Sequence, residues 1–192
     1  MTLLHGRKHP EPHCCPWWFG YTFDNPLRRW VHDPAAMFAG LVAPGDTAAD
    51  IGCGLGYFTL GLAGIVGPRG RVLAIDVQPE MIRRVRRRAE RRGVAHLVDF
   101  RVCAADHLGL TGPIDFALAF WMVHEARNQR GLLAEVRSAL RPGGRLLIVE
   151  PKLHVGRELL AVLTERAAAA GFRVAAGPAV RLSNSILCTA DT

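Results

Sequence analysis

Apolar and polar positions change rhythm repeatedly along this chain. From Thr47 onward, short apolar runs alternate with longer segments whose apolar residues recur every three or four positions. The short runs read as buried strands, the longer ones as helices packed by one face. The pattern predicts strands over Thr47–Ile51, Val72–Ile75, Val98–Cys103, Ile114–Phe120, Leu146–Val149, Phe172–Ala176 and Ser185–Thr189. It predicts helices over Tyr57–Val66, Pro79–Arg92, Gln129–Leu140 and Arg157–Ala170. Gly93 and Gly171 end two of them, because glycine takes the left-handed conformation at a helix C-terminus without steric cost. Pro142-Gly143-Gly144 is expected to be the turn that ends a third. Upstream, Leu27, Trp30, Val31, Met37, Phe38 and Leu41 recur near helical spacing over Pro26–Val42, with a break at Asp33-Pro34.

Regular alternation of strand and helix predicts an α/β fold, a mostly parallel sheet between two helical layers. The last two strands are expected to be antiparallel at the sheet edge. Ligands of such sheets bind beyond the carboxyl ends of the strands, where the strand order reverses. That places the chemistry in the loops at 52–57, 76–78, 104–107 and 120–125. No repeat or linker splits the core, so residues 46–192 read as one domain behind a front segment, 1–45. The front segment opens with a His- and Pro-rich arm, Met1–Pro16. An aromatic stretch, Trp17–Asn25, then reads as packed on the body or covering a pocket.

The length of 192 residues fits this single domain. The net charge of +7 raises the question of a polyanionic partner. Lys8 and Lys152 are the only lysines, so the charge is almost all arginine. Its densest run is Arg83, Arg84, Arg86, Arg87, Arg88, Arg91 and Arg92, on one predicted helix. Ile82, Val85 and Ala89 share that helix's buried face, which spreads the arginines over the rest of its surface. The helix belongs to the flank of the sheet, so a solvated face is expected rather than a phosphate track. No run approaches the ~20 apolar residues of a membrane span, so no membrane insertion is expected. Met1–Glu11 has no apolar stretch and does not read as a signal peptide. Five cysteines, an odd number, argue against a disulfide framework, and the cytoplasm is the expected compartment.

The first strand runs into Asp50-Ile51-Gly52-Cys53-Gly54-Leu55-Gly56, which opens a helix. Glycines let the backbone turn tightly and approach a ligand without a Cβ in the way. The helix N-terminus offers free amides to electron-rich groups. A dinucleotide loop reads GxGxxG, whereas position 57 is Tyr, which disfavours NAD or FAD. The second strand ends at Asp76, twenty residues after Gly56. A carboxylate there can accept from both ribose hydroxyls. Val77 follows as an apolar face for a purine. The plainer reading of Asp76 is a turn residue that caps the next helix.

Taken in order, DIGCGLG, AIDVQPEM, DFALAFWMVHE and LRPGGRLLIVEP resemble the successive motifs of class I S-adenosylmethionine-dependent methyltransferases of the small, single-domain kind. The resemblance covers about Thr47 to Thr189. It implies a seven-stranded sheet in the order 3-2-1-4-5-7-6, with the last strand antiparallel, and S-adenosylmethionine as cofactor. It implies that Asp50 and the backbone at Gly52, Cys53, Gly54 and Gly56 hold the methionine end. Asp76 would bind the ribose, with Val77 and Met81 on the adenine. The loop Ala104-Ala105-Asp106 would meet the adenine edge, and Phe120 would be among the residues that bind the cofactor.

Methyl transfer needs an acceptor held about 3 Å from the methyl carbon and in line with the breaking bond. Where the acceptor carries a proton, it also needs a base. His124 is the candidate base, because its ordinary pKa of about 6.5 suits neutral pH. Glu125 is placed to orient it or to touch substrate. The plainer reading makes both the start of a helix. Trp121, Glu150, Lys152 and His154 share this edge as candidate acceptor contacts. Tyr21, Phe23 and Asn25 are candidates for a lid that excludes water, and Tyr21 for a catalytic contact. His13, Cys14 and Cys15 carry soft donors for a metal or metalloid but match no standard zinc spacing. No Asn-Pro-Pro-Tyr-like motif follows strand four, and no Pro-Cys nucleophile is present. The expectation is therefore a small-molecule acceptor, including a thiol or metalloid, and no nucleic acid. Two alternatives stand beside it: an RNA or protein methyltransferase using the arginine helix, and a cofactor-binding subunit that works through a partner.

Overall fold

The computed structural model describes residues 28–191. The arm and the aromatic stretch, with His13, Cys14, Cys15, Tyr21, Phe23 and Asn25, lie outside the described residues.

The chain first forms two short helices, α1 (Arg28–Val31) and α2 (Pro34–Met37). One interrupted helix was expected over 26–42; the interruption is at Asp33-Pro34. Asp33 caps α2, its Oδ1 accepting from the Ala35 amide at 3.2 Å, and the helix ends at Met37. There follow β1 (Thr47–Ile51), α3 (Tyr57–Val66), β2 (Arg71–Asp76), α4 (Pro79–Arg91) and β3 (Val98–Val102). Next come β4 (Ile114–Phe120), α5 (Gln129–Ala139), β5 (Leu140–Pro151), α6 (Arg157–Ala169), β6 (Phe172–Ala176) and β7 (Ser183–Ala190). Gly93 and Gly171 end α4 and α6 with φ of 71° and 88°.

The sheet has the order β3-β2-β1-β4-β5-β7-β6. The pairs from β3 through β5 are parallel, and β7 runs antiparallel to both β5 and β6. The order reverses between β1 and β4, which places the switch point at the glycine loop. Two apolar clusters fill the faces. Phe38, Phe58, Leu62, Val85, Phe116 and Leu147 belong to the cluster under α2, α3 and α4. Ile51, Ile75, Leu133, Val136, Ile148 and Leu163 belong to the one under α5 and α6. The result is a three-layer αβα sandwich.

The boundary that differs most from expectation is the start of β5, at Leu140 rather than Leu146. Pro142-Gly143-Gly144 is not a separate turn, because β5 already pairs at Leu140. Ile114 faces Leu140 while Phe116 faces Arg145, so the Pro-Gly-Gly residues bulge out of the ladder. A proline that cannot donate and a glycine at φ 75° suit a bulge, where ladder bonds are missing anyway.

Candidate functional site

The carboxyl ends of β1 to β5 converge on one edge. At the end of β1 the chain turns back on β2: the amides of Gly52 and Cys53 donate to the Ile75 carbonyl at 2.8 and 3.0 Å. Gly52, Gly54 and Gly56 have φ of 70°, 53° and 79°, where an L side chain is strained. Gly56 is required twice over, since a Cβ there would fall 1.9 Å from Cγ2 of Val85 on α4. A Cβ at Gly54 would meet nothing within 4 Å, so that backbone is open to a ligand. From the other side, Arg88 of α4 donates through Nη1 to the Leu55 carbonyl at 2.7 Å.

Asp76 closes the other wall. Its Oδ2 accepts from the Gly54 amide and its Oδ1 from the Gln78 amide, each at 2.9 Å. The capping reading and the ligand reading therefore coexist, because each carboxylate oxygen retains a second lone pair. Burial raises the Asp76 pKa above the ordinary carboxylate value, and the amides of Gln78, Gly54 and Val77 oppose this in part. Val77 is exposed beside it, while Met81 is buried. The post-β3 loop leaves from the same point, since Cys103 N donates to the Asp76 carbonyl at 3.0 Å. Ala104, Ala105 and Asp106 stand exposed on that loop. Glu135 of α5 holds its far end, accepting from the amides of Leu108 and Leu110 at 2.9 Å.

Asp50 is buried on the α3 side of β1, where its Oδ2 accepts from Thr59 Oγ1 at 2.6 Å, a contact that ties the end of β1 to the first turn of α3. Cys53 is held neutral: burial, then Asp50 and Asp76, push its thiol well above the ordinary value.

At the end of β4, Phe120 stacks on Trp121 with ring centroids 5.1 Å apart. Trp121 has φ 57°, a strained position for an aromatic residue and a common mark of functional edges. Its amide donates to Val149 O at 2.7 Å, and its Nε1 donates to Ser183 Oγ at 3.0 Å. His124 follows in a short 3-10 turn, Val123–Glu125. Glu150, fully buried near the end of β5, grips it twice. Oε1 accepts from the His124 amide at 3.0 Å, and Oε2 lies 2.5 Å from Nδ1. Glu125 is 3.9 Å from Nε2, so the orienting carboxylate is Glu150 rather than Glu125. The Glu150 hydrogen bond raises the His124 pKa; partial burial opposes it, and the charges of Glu150 and Glu125 add to it. The His154 ring lies 5.7 Å from the His124 ring, and Lys152 is exposed nearby on the chain.

Residues 43–177 match the family described as "Methyltransferase domain". The chain belongs to the class I S-adenosylmethionine-dependent methyltransferases. This methyltransferase is 32% identical over 117 residues to an arsenite methyltransferase of Halobacterium salinarum, covering 60% of the chain and 29% of that protein. It is 30% identical over 112 residues to the ubiquinone/menaquinone biosynthesis C-methyltransferase UbiE of Hydrogenovibrio crunogenus, covering 57% and 43%. The chain thus spans less than half the length of the curated relatives it matches. Among solved structures, a SAM-dependent methyltransferase from Aquifex aeolicus superposes with TM-score 0.80 at 23% identity, covering 91% of this chain and 98% of that one. That is a likeness of fold.

The residues present fit the family's cofactor, S-adenosylmethionine. The backbone at Gly54 is open, Asp76 keeps acceptor capacity beside it, and Val77 offers an exposed apolar face. Two features of this methyltransferase's site were missed in the sequence. The grip of Glu150 on His124 joins positions 26 apart, and that of Arg88 on Leu55 joins positions 33 apart. The strand order alone, which sets β4 beside β5, was the signal available for the first.

Proposed function

We propose that this methyltransferase acts on a small-molecule acceptor bound at the carboxyl ends of β4 and β5, with His124 as the base. The observation that carries this reading is the His124–Glu150 pair. S-adenosylmethionine, when bound, supplies an electrophilic methyl carbon on a sulfonium sulfur. Asp76 would hold its ribose hydroxyls, the amides around Gly54 its amino-acid end, and Val77 and Met81 its adenine. On the acceptor side, Glu150 holds Nδ1 of His124. That leaves Nε2 to take the acceptor's proton, the arrangement by which a buried carboxylate fixes a histidine's tautomer. Phe120 and Trp121 form the apolar wall that keeps water from the reacting atoms.

Small acceptors are supported by the relatives' names, one for arsenite and one for ubiquinone and menaquinone biosynthesis. The arginine helix gives little support to RNA. Arg83 and Arg84 pair with Glu80, Arg86 lies 4.4 Å over the Phe100 ring, and Arg88 holds the glycine loop. We place the protein in the cytoplasm; no helix among the described residues is long and apolar enough to cross a membrane.

The test is transfer of labelled methyl from S-adenosylmethionine into fractionated cell metabolites, with wild type and His124→Ala. A base predicts a loss of about 10²-fold or more in kcat, with cofactor binding retained. Undiminished transfer by His124→Ala would remove the base and favour a thiolate or metalloid acceptor, which has no proton to lose.

A further inference from the structure

We infer that the acceptor carries an anionic group, which Lys152 and Arg181 bind in a cavity between the end of β5 and the β6–β7 hairpin. This rests on the small-molecule reading above and names the substrate class. The cavity has a volume of about 350 Å³. That is at the lower end of the range for small-molecule sites, roughly 300–1,000 Å³. Its lining includes Lys152, Val180, Arg181, Ser183, Asn184 and Ser185. The lining holds two cations and no carboxylate. Among the described residues no acidic side chain pairs with either cation. Two unpaired cations facing one concavity favour an anion, bound through charge-assisted hydrogen bonds. Val180, buried in the cluster under α2 and α3, supplies an apolar floor for the rest of the molecule.

The cavity is joined to the reaction edge by direct contacts. Ser183 of its wall accepts from Trp121 Nε1 at 3.0 Å. Arg181 is fixed through its carbonyl, which lies 3.1 Å from Nε2 of buried His32, while His32 packs edge-on against Phe120 and Trp121. Lys152 N donates to the Leu182 carbonyl at 3.0 Å, and Leu182 is held at φ 61°. Lys152 follows Glu150 by two residues, so its Cα lies within about 7 Å of the residue that orients His124. A small acid anchored there has its other end at the methyl-transfer edge. This arrangement gives the strained hairpin backbone and the Trp121–Ser183 contact a role in holding the acceptor.

The test uses labelled S-adenosylmethionine and a bacterial metabolite extract divided by ion exchange into anionic, neutral and cationic pools. Label is expected in the anionic pool, with transfer lowered tenfold or more, chiefly through KM, in the Lys152→Gln/Arg181→Gln double variant. Calorimetry with S-adenosylmethionine, expected unchanged, shows that the variant is folded. Prior phosphatase treatment separates the two sources of charge: loss of label identifies a phosphate and survival a carboxylate, and either supports the proposal. Label in the neutral or cationic pool, or equal transfer by the double variant, overturns it and leaves the small-molecule reading standing. No label in any pool, with the cofactor bound, overturns both.

Discussion

His124 and Glu150 show how much chemistry a single contact can decide. Read alone, His124 is one of several polar residues after strand four. Held at both its amide and its ring by a fully buried carboxylate, it becomes a histidine of fixed orientation and raised pKa. As a base it works when deprotonated. The rate is therefore expected to rise with pH through a midpoint above the ordinary histidine value of about 6.5. Glu150→Gln removes the group that raises the pKa, so the pH–rate midpoint is expected to move downward and kcat to fall. A merely structural contact would lower kcat without moving the midpoint. The same linkage acts on stability. A raised folded pKa contributes stability that is full below about pH 6.5 and fades as pH rises through the folded value. Denaturant titrations across pH 6 to 9 are expected to show that slope in wild type and its loss in Glu150→Gln. Gly56 is the other decisive residue. Gly56→Ala forces both a left-handed alanine and a collision with Val85, and about 1–3 kcal/mol of stability is expected to be lost. Thermal melts check this.

At the scale of elements, the glycine loop depends on what presses against it from behind. The sequence shows the loop, its glycines and the acidic strand end, because these are local patterns. It does not show that α4 serves the loop. The arginines of that helix read as a solvated face, and for Arg87 and Arg91 exposure agrees. Arg88 does not follow, since it reaches the Leu55 carbonyl, a partner that periodicity cannot reveal. Arg88→Ala is expected to weaken S-adenosylmethionine binding by roughly tenfold, the size of a hydrogen bond to a charged group, while kcat at saturation holds. Calorimetry with steady-state kinetics separates the two quantities. Strand limits follow the same division. The short strands β1 and β4, apolar but for Thr47, Asp50 and Asp115, end where their composition says. The start of β5 was obscured because Pro142, Gly143 and Gly144 look like a turn, and only pairing with β4 makes them a bulge. Asp50 likewise belongs to a motif in the sequence, yet its side chain is turned into the α3 face and bound to Thr59.

For the whole molecule, strand–helix alternation was enough to give the fold class. The full strand order came from the resemblance, because alternation cannot say on which edge each new strand is added. The net charge of +7 first raised a polyanionic partner, and several of the arginines that contribute to it are held in ion pairs within the molecule. Arg101 pairs with Asp99, Arg141 with Asp115 and Arg173 with Asp191. The cations that matter to function in this account are few and lie at the carboxyl edge of the sheet. The central claim is that this edge binds S-adenosylmethionine through the glycine loop and Asp76. Calorimetric titration of wild type and Asp76→Ala with S-adenosylmethionine tests it most directly. Saturable binding at a single site is expected in wild type, weakened tenfold or more in Asp76→Ala. Absence of binding by wild type, or equal binding by the two proteins, would contradict it.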